Sequence, residues 1–238
     1  SAVANGFFNL DGIQVVILYP SGRVSAIQEQ QLTTYGGNIT ALEVEGSFDD
    51  CQHMVKEAFL DKSVNQRRSL SSANSINIAR ILPQSVYYAW AWKQINTDQP
   101  IVFSVPSGNF GNLTGGILAK HMGLPVEKFI AATNANDVFP KYLGTGEFNA
   151  MPSKQTISNA MDVGSPSNFD RILKIYNENV NEVRHDLISW SFQDDETKYA
   201  IQYTKDKFNY LTDPHTAVGL SGIEKYRQEV NAHLTGIA

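Results

Sequence analysis

The sequence predicts an α/β protein in which parallel sheets are covered by helices on both faces and the chain is divided into two lobes. Short β-branched segments alternate with segments of helical periodicity, and this order joins parallel strands through helical crossovers. A second set of such elements begins near Pro83. With 238 residues, of which 42% are hydrophobic, the chain is long enough to bury the core of one large domain or of two lobes.

The first and smaller lobe is predicted to span residues 1–83. Its elements are, in order, a helix over residues 1–9, a strand over 14–19, a helix near 25–35, a strand over 39–44 and a helix that begins after Ser47. Ser47 is a good N-cap, and Asp49 and Asp50 place negative charge in the first turn, where the helix dipole favours it. Cys51 lies on the apolar face of this helix, so we expect it to pack in the core. We also expect the chain to open inside a helix, which leaves this lobe incomplete at its N-terminus.

The second lobe is predicted to span residues 84–238. Its elements are, in order, a helix over residues 85–95, a strand over 101–105, a helix that ends at Gly123, a strand over 128–133 and a terminal helix that starts at Asp213 and Pro214. The first of these helices carries four aromatic residues, Tyr87, Tyr88, Trp90 and Trp92. Such a face suits core packing or an interface between lobes better than base stacking. Residues 142–169 are rich in Gly, Pro, Ser and Asn, and a long irregular stretch of this kind is more often functional than idle.

A loop rich in Gly and Asn, residues 107–112, joins the strand at 101–105 to the following helix. The first N–H groups of a helix lack intrahelical partners, and the helix dipole favours an anion at this end. Gly108 and Gly111 allow positive φ and close approach of the backbone, while Asn109 and Asn112 add amide groups. The pattern therefore predicts a phosphate-binding loop. The alternative, a tight turn that only connects strand and helix, stays open from these residues alone.

A second polar cluster lies at a predicted junction between a loop and a helix. It consists of Asn74, Ser75, Asn77 and Arg80. Amides and a hydroxyl donate hydrogen bonds, and a guanidinium binds two phosphate oxygens at once, so the cluster suits a phosphate monoester. The alternative is a helix cap followed by a surface Arg, and the residues by themselves favour it.

Composition excludes several classes of function. The formal net charge of −5, with both signs interspersed, argues against a nucleic-acid surface or an anionic membrane as the main partner. Cys51 is the only cysteine, so an internal disulfide or a thiolate metal cluster is not available, and no metal site is expected. The lone thiol suits a reducing compartment, and we expect a cytoplasmic protein. No apolar stretch approaches the roughly 20 residues of a membrane helix.

Several longer segments together resemble the threonine synthase family, along nearly the whole chain. They are Val15–Pro20, Gln31–Asn38, Gly46–Gln52, Ser72–Asn77, Val105–Asn112, Phe129–Asn134 and Ser158–Asp162. As a set these motifs are highly specific. The resemblance implies the fold of the fold-type II pyridoxal-phosphate enzymes. It also implies a lyase that uses pyridoxal phosphate to convert O-phospho-L-homoserine and water into L-threonine and phosphate.

The resemblance assigns the two polar clusters. In the family the Gly-Asn-Phe-Gly loop holds the cofactor phosphate, which implies the site Ser107, Gly108, Asn109, Phe110, Gly111 and Asn112. The Asn-Ser-x-Asn-x-x-Arg pattern is similar to the segment that holds the substrate phosphate, which implies Asn74, Ser75 and Arg80, with Asn77 in support. The segment Ser158–Asp162 is a family motif without an assigned role. His215 also matches, and we expect it to make a polar contact at a helix N-terminus.

The sequence departs from the family by omission. No segment matches the Phe-Lys-Asp motif that supplies the lysine bonded to the cofactor, so no catalytic residue is assigned in this chain. We therefore expect the chain to be the central portion of a longer enzyme, inactive by itself. Two alternatives stay open. One is a noncatalytic module that binds a phosphorylated metabolite, and the other is a nucleotide-binding oxidoreductase, although the chain lacks a Gly-x-Gly-x-x-Gly motif.

Overall fold

The computed structural model describes residues 2–74, 77–95, 97, 99, 101–231, 233 and 235–238. Contacts between residues group the chain into two compact units, Ser1–Ala73 and Asn74–Ala238. This boundary precedes residue 83, where the sequence suggested the division, and the two-lobe arrangement stays a prediction. No helix in the described residues is both long and apolar enough to cross a membrane.

The first unit contains a two-stranded parallel sheet and four helices among its described residues. These elements are α1 (Ala2–Phe7), β1 (Val15–Pro20), α2 (Ala26–Thr33), β2 (Ile39–Val44), α3 (Phe48–Leu60) and α4 (Lys62–Arg67). The two strands pair in register from Val15 opposite Ile39 to Pro20 opposite Val44. The predicted strands and the first three helices are confirmed within one to two residues at most ends.

Helix α3 begins where the sequence predicts. The Ser47 side chain accepts a hydrogen bond from the Asp50 N–H at 3.2 Å, and the Ser47 N–H donates to Asp50 Oδ2 at 2.7 Å. This reciprocal capping box satisfies two N–H groups that a helix start would otherwise leave unpaired. Cys51 is buried one turn later, as its place on the apolar face predicts.

The second unit contains a four-stranded parallel sheet in the order β5-β4-β3-β6. Its elements are α5 (Ile78–Ile81), a 3-10 turn (Leu82–Gln84), α6 (Ser85–Ile95), β3 (Ile101–Pro106), α7 (Gly111–His121), β4 (Val126–Thr133), α8 (Val138–Thr145), a 3-10 turn (Asn159–Met161), α9 (Phe169–Ile175), α10 (Val180–Asp186), β5 (Leu187–Ser191), α11 (Asp194–Phe208), α12 (Pro214–Glu229) and β6 (Gly236–Ile237). The predicted helix over 85–95, both predicted strands and the terminal helix are confirmed.

Helices cover both faces of this sheet, which confirms the predicted α/β fold class. On one face Phe103 and Phe129 pack with Leu113 of α7. On the other face Val102 and Ile130 pack with Val218 of α12. Because neighbouring side chains on a strand point to opposite faces, burial of both faces accounts for the mostly apolar sequence of β3, in which Ser104 is the one polar residue.

The aromatic face of α6 is only partly buried. Tyr88 is 4% exposed and its ring meets the ring of Phe103 edge to face, with centroids 4.9 Å apart. Tyr87 and Trp90 are 64% and 62% exposed, so these two side chains do not belong to the core. A helix buries one stripe of its surface against a sheet, and aromatic residues on adjacent positions cannot all lie in that stripe.

Candidate functional site

The candidate site consists of the loop between β3 and α7 and the first two residues of α7; these residues, 107–112, are called the phosphate loop below. It lies at the carboxyl end of an interior strand of a parallel sheet, where open α/β sheets bind their ligands. Ser107 is fixed at its start, because its N–H donates to the Ala132 carbonyl at 2.8 Å and its hydroxyl donates to the Val105 carbonyl at 2.7 Å. The loop therefore leaves the sheet in one defined direction.

Phe110 turns the phosphate loop into the helix. Its φ of 59° and ψ of 11° lie in the left-handed region, which costs a residue other than glycine about 1 kcal/mol or more. The Phe110 ring is buried and its centroid lies 4.8 Å from that of Phe139. Burial of the ring offsets the strain, so the side chain anchors a backbone conformation that the turn requires.

The first turn of α7 presents backbone N–H groups and no negative charge. The first intrahelical bond runs from the Thr114 N–H to the Phe110 carbonyl at 2.9 Å. The N–H groups of Gly111, Asn112 and Leu113 precede it and have no acceptor within the helix. No acidic residue lies in this turn. The geometry and the dipole of α7 both suit an anion at this position.

Gly108 is the point of closest backbone packing in the phosphate loop. A Cβ atom at this position would lie 2.7 Å from the Cα of Met161 and 3.2 Å from the carbonyl oxygen of Ala160. Real Cβ atoms do not approach backbone atoms so closely, so only glycine fits here. The 3-10 turn at Asn159–Met161 thus lies directly against the loop.

Asn109 is held by a segment far along the chain. Its side-chain oxygen accepts hydrogen bonds from the Ser167 N–H at 2.6 Å and from the Ser167 hydroxyl at 3.0 Å. The Asn168 side-chain amide donates to the Asn109 carbonyl at 2.9 Å. These three bonds fix both the side chain and the backbone of Asn109, so one role of this residue is to hold the loop in shape.

Asn112 directs its side chain toward α6. Its Oδ1 accepts from the Tyr88 hydroxyl at 2.6 Å, and its Nδ2 donates to Gln84 Oε1 at 3.1 Å. Burial raises the pKa of the Tyr88 hydroxyl, which stays protonated and able to donate. Both ends of the Asn112 side chain thus bind protein groups, and its backbone N–H is available to an anion.

The second polar cluster is joined to the phosphate loop through Gln84. The Gln84 amide donates to the Arg80 carbonyl at 2.9 Å, and its oxygen accepts from Asn112. Asn77 caps α5, with its side-chain oxygen accepting from the Ala79 N–H at 3.0 Å. Arg80 and Asn74 are exposed, and Ser75 lies outside the described residues. Asn77 thus has the capping geometry that the sequence offered as an alternative, and Arg80 follows it on the surface.

His215 makes the polar contact expected for it. Its Nε2 accepts from the Ala160 N–H at 3.2 Å, and its Nδ1 lies 3.0 Å from Asp213 Oδ1. Burial opposes ionisation of Asp213, but hydrogen bonds from Thr216 and His215 outweigh it and lower its pKa to about 2. The ionised carboxylate favours a proton on Nδ1, which leaves Nε2 as the acceptor for Ala160.

The sequence did not identify the residues that hold the phosphate loop from outside. These are Gln84, Tyr88, Ala160, Met161, Ser167 and Asn168. For the last four the available signal was the irregular composition of residues 142–169, together with the family motif Ser158–Asp162 for Ala160 and Met161, and neither showed what the segment contacts.

The family model for pyridoxal-phosphate dependent enzymes matches residues 9–235 of the chain. The chain belongs to this family. The match covers both compact units, so membership in the family extends beyond the phosphate loop. It gives no support to a nucleotide-binding oxidoreductase.

Within the pyridoxal-phosphate dependent family, the chain is similar to threonine synthases. It is 43% identical to that of Haemophilus influenzae over 239 residues, covering 100% of this chain and 55% of that protein. It is also 43% identical to the threonine synthase of Escherichia coli over 220 residues, which covers 92% of this chain and 51% of that protein. The resemblance noted from the sequence motifs is confirmed. The chain spans about half the length of these relatives.

Solved structures give the same result. The threonine synthase of Escherichia coli superposes with a TM-score of 0.89 at 40% identity, covering 99% of this chain and 54% of that one. The pyridoxal-phosphate-bound threonine synthase of Brucella melitensis gives a TM-score of 0.85 at 35% identity, covering 99% of this chain and 56% of that one. Serine racemase from Dictyostelium discoideum, at 18% identity and a TM-score of 0.65, shares the fold.

The phosphate loop fits the cofactor of this pyridoxal-phosphate dependent family. A phosphate needs converging N–H donors, close access to the backbone and no competing carboxylate. The first turn of α7, the space kept by Gly108 and the absence of acidic residues from that turn meet these needs.

Proposed function

We propose that this chain is the central portion of a threonine synthase, which converts O-phospho-L-homoserine and water into L-threonine and phosphate. The observation that carries the proposal is the phosphate loop geometry inside a fold that superposes on a threonine synthase at 40% identity. The half-length coverage of the relatives supports the idea that further chain completes the enzyme. A cytoplasmic location is part of the proposal.

The phosphate loop would hold pyridoxal phosphate through its phosphate group. The N–H groups of Gly111 and Asn112 would donate to the phosphate oxygens, while Gly108 allows the backbone to come close. Ser107, Asn109 and Phe110 would keep the loop in shape through the contacts described above. When bound, pyridoxal phosphate supplies an electron sink that stabilises negative charge on the substrate carbon atoms.

The second polar cluster would hold the phosphate of the substrate. The Arg80 guanidinium is suited to bind two phosphate oxygens, and Asn74, Ser75 and Asn77 would add hydrogen bonds. As phosphate leaves the substrate, negative charge builds up on its oxygens, and a fixed cation there lowers the energy of the departure. No lysine of this chain is assigned to bond the cofactor.

A chimeric enzyme tests the proposal. The aligned segment of the Escherichia coli threonine synthase is replaced by this chain, and the protein is expressed in a strain without its own threonine synthase. We expect growth without added threonine, and release of equal amounts of phosphate and threonine from O-phosphohomoserine by the purified chimera. A matched chimera carrying Arg80→Ala is the control for leakage from other enzymes.

Each outcome of the chimera experiment separates the proposal from its alternative. A folded chimera that binds pyridoxal phosphate and O-phosphohomoserine without releasing phosphate supports a noncatalytic binding module. A chimera that folds and does not bind pyridoxal phosphate contradicts the assignment of the phosphate loop.

A further inference from the structure

The segment of residues 154–162 is fastened to the end of β4 by paired amide groups. The Asn136 side chain donates to the Lys154 carbonyl at 2.9 Å and accepts from the Lys154 N–H at 2.7 Å. This two-bond pairing resembles that of neighbouring strands and fixes the start of the segment. Asn136 is in turn fixed by Asn134, whose Oδ1 accepts from the Asn136 N–H at 3.0 Å.

Asp162 gathers the polar groups at the other end of this segment. Its Oδ1 accepts from Thr156 Oγ1 at 2.7 Å, Asn134 Nδ2 at 2.8 Å and Asn136 Nδ2 at 3.3 Å. Its Oδ2 accepts from the Thr156 N–H at 3.0 Å. Among the described residues, no ion pair of a cation with Asp162 is found. Neutral donors therefore converge on one carboxylate.

A carboxylate is the side chain that this arrangement requires. An ionised carboxylate offers lone pairs on both oxygens and has no proton of its own to place. An amide of the same shape has a single oxygen and an NH₂ group. That NH₂ group would face either the Thr156 N–H or the donors on the other side, so at least one donor would lose its acceptor.

The network holds the 3-10 turn that packs on the phosphate loop. Asp162 closes this turn, with its N–H donating to the Asn159 carbonyl at 3.1 Å. Ser158, at the start of the turn, is fully buried and accepts from Asn134 Nδ2 through its carbonyl and its hydroxyl, both at 3.3 Å. Ala160 and Met161 of the same turn lie against Gly108, as described above.

We propose that Asp162 is a positioning residue for the cofactor phosphate. It acts through Asn134 and Thr156 on the turn at Asn159–Met161, and through the turn on Gly108, so that it fixes the outer wall of the phosphate loop. This inference gives a role to the Ser158–Asp162 motif and rests on the proposed function of that loop.

Binding of two ligands to the chimeric enzyme described above tests the inference. Pyridoxal phosphate and pyridoxal, which lacks the phosphate, are titrated by absorbance and fluorescence, and the ratio of their affinities is the measured quantity. The resonance of the bound phosphate is recorded by ³¹P NMR. The variants are Asp162→Asn and Thr156→Val, which removes one donor of the network. Asp170→Asn, at an exposed carboxylate of α9, is the control for loss of charge.

We expect Asp162→Asn to lower the affinity for pyridoxal phosphate about tenfold relative to the affinity for pyridoxal, as the loss of a charge-assisted hydrogen bond predicts. Thr156→Val should give a smaller loss of the same kind, and Asp170→Asn should keep the native ratio and the native ³¹P shift. A direct effect of charge has the opposite sign, because removal of a negative charge favours an anion.

Each other outcome has a defined meaning. The inference is wrong, while the loop assignment stands, if both Asp162→Asn and Thr156→Val keep the native preference for pyridoxal phosphate over pyridoxal. The same conclusion follows if Asp162→Asn increases that preference. If Asp162→Asn does not fold, Thr156→Val decides by itself. An unsubstituted chimera that shows no preference for pyridoxal phosphate over pyridoxal overturns the loop assignment, and the inference with it.

Discussion

The side chains of Gln84 and Asn112 face each other across the junction of α7 with the 3-10 turn at Leu82–Gln84, and Asn112 Nδ2 donates to Gln84 Oε1 at 3.1 Å. Since the Gln84 amide also donates to the Arg80 carbonyl, one side chain links the segment of Arg80 to the first turn of α7. Gly115 allows α7 to pack closely against Gln84, because a Cβ at this position would lie 3.0 Å from the Cβ of Gln84. The two proposed phosphate sites are thus parts of one hydrogen-bonded arrangement.

Gln84→Met keeps the volume of the side chain and removes both hydrogen bonds. In the chimeric enzyme we expect KM for O-phosphohomoserine to rise about three- to tenfold, because the Arg80 segment loses its tie to α7. Affinity for pyridoxal phosphate should change less than twofold, because contacts that do not involve Gln84 hold the rest of the phosphate loop. Steady-state kinetics and cofactor titration measure the two effects. Gln30→Met, at an exposed position of α2, is the matched control, and an equal effect of both variants would contradict the link.

Arg80→Ala tests the proposed binding of the substrate phosphate directly. We expect kcat/KM for O-phosphohomoserine to fall by about a hundredfold or more, since a lost charge-assisted pair costs about 3 kcal/mol. Cofactor affinity should stay near the native value. Arg80→Lys should restore only part of the activity, because an ammonium cannot bind two phosphate oxygens in the planar geometry of a guanidinium. Equal loss of substrate use and cofactor binding would show that Arg80 is structural.

Gly108→Ala tests the close packing of the phosphate loop on the 3-10 turn. The added methyl group would lie 2.7 Å from the Cα of Met161, so loop and turn must separate. We expect pyridoxal phosphate to bind at least tenfold more weakly, and the free energy of unfolding to fall by about 1–3 kcal/mol, as for other overpacked sites. Gly144→Ala in α8 is the control, because nothing lies within 4 Å of its added Cβ and Ala favours a helix. Similar results for both variants would contradict the packing argument.

Asp186 lies at the opposite end of α7 from the phosphate loop, and we predict that it makes the stability of the fold depend on pH. Its carboxylate is 11% exposed and accepts from Lys120 Nζ at 2.7 Å and from the Tyr176 hydroxyl at 3.0 Å. Burial opposes ionisation, but the hydrogen bonds from Lys120, His185 and Tyr176 and the Lys120 charge outweigh it and lower the pKa of Asp186 below its ordinary 3.8.

Because the folded pKa is the lower one, this stabilisation is complete above pH 3.8 and is lost as the pH falls through the folded pKa. We expect Asp186→Asn to lower the free energy of unfolding at pH 7 by about 3 kcal/mol. The difference from the native chain should shrink as the pH falls below 3.8. Denaturant unfolding at several pH values measures this. Asp195→Asn, whose carboxylate is 96% exposed, should cost less than about 0.5 kcal/mol throughout.

The parts of the fold that depend on local sequence were predictable. The alternation of strands and helices, the Ser47 cap and the Asp213-Pro214 start of α12 all follow from neighbouring residues. The left-handed turn into α7 was indicated by its Gly and Asn residues, although Phe110 takes the left-handed position itself. Its buried ring makes this possible, and burial is a property of the folded chain.

The contacts that shape the site depend on residues distant in sequence. Ser167 reaches Asn109 across 58 positions, and Tyr88 reaches Asn112 across 24. The sequence indicated that the amides of Asn109 and Asn112 matter, but it could not show that both side chains bind protein groups. The same holds for the burial of Tyr88 beside the exposed Tyr87, which depends on where α6 meets the sheet.

The bonds from Ser167 and Asn168 to Asn109 also set an order of events during synthesis of the chain. The phosphate loop emerges from the ribosome about 60 residues before the groups that hold it, as the separation of 58 positions requires. A long closed loop forms late, because its entropy must be lost before the contacts that stabilise it exist. The phosphate loop therefore gains the bonds that fix Asn109 only after Asn168 has been made and the chain has folded back.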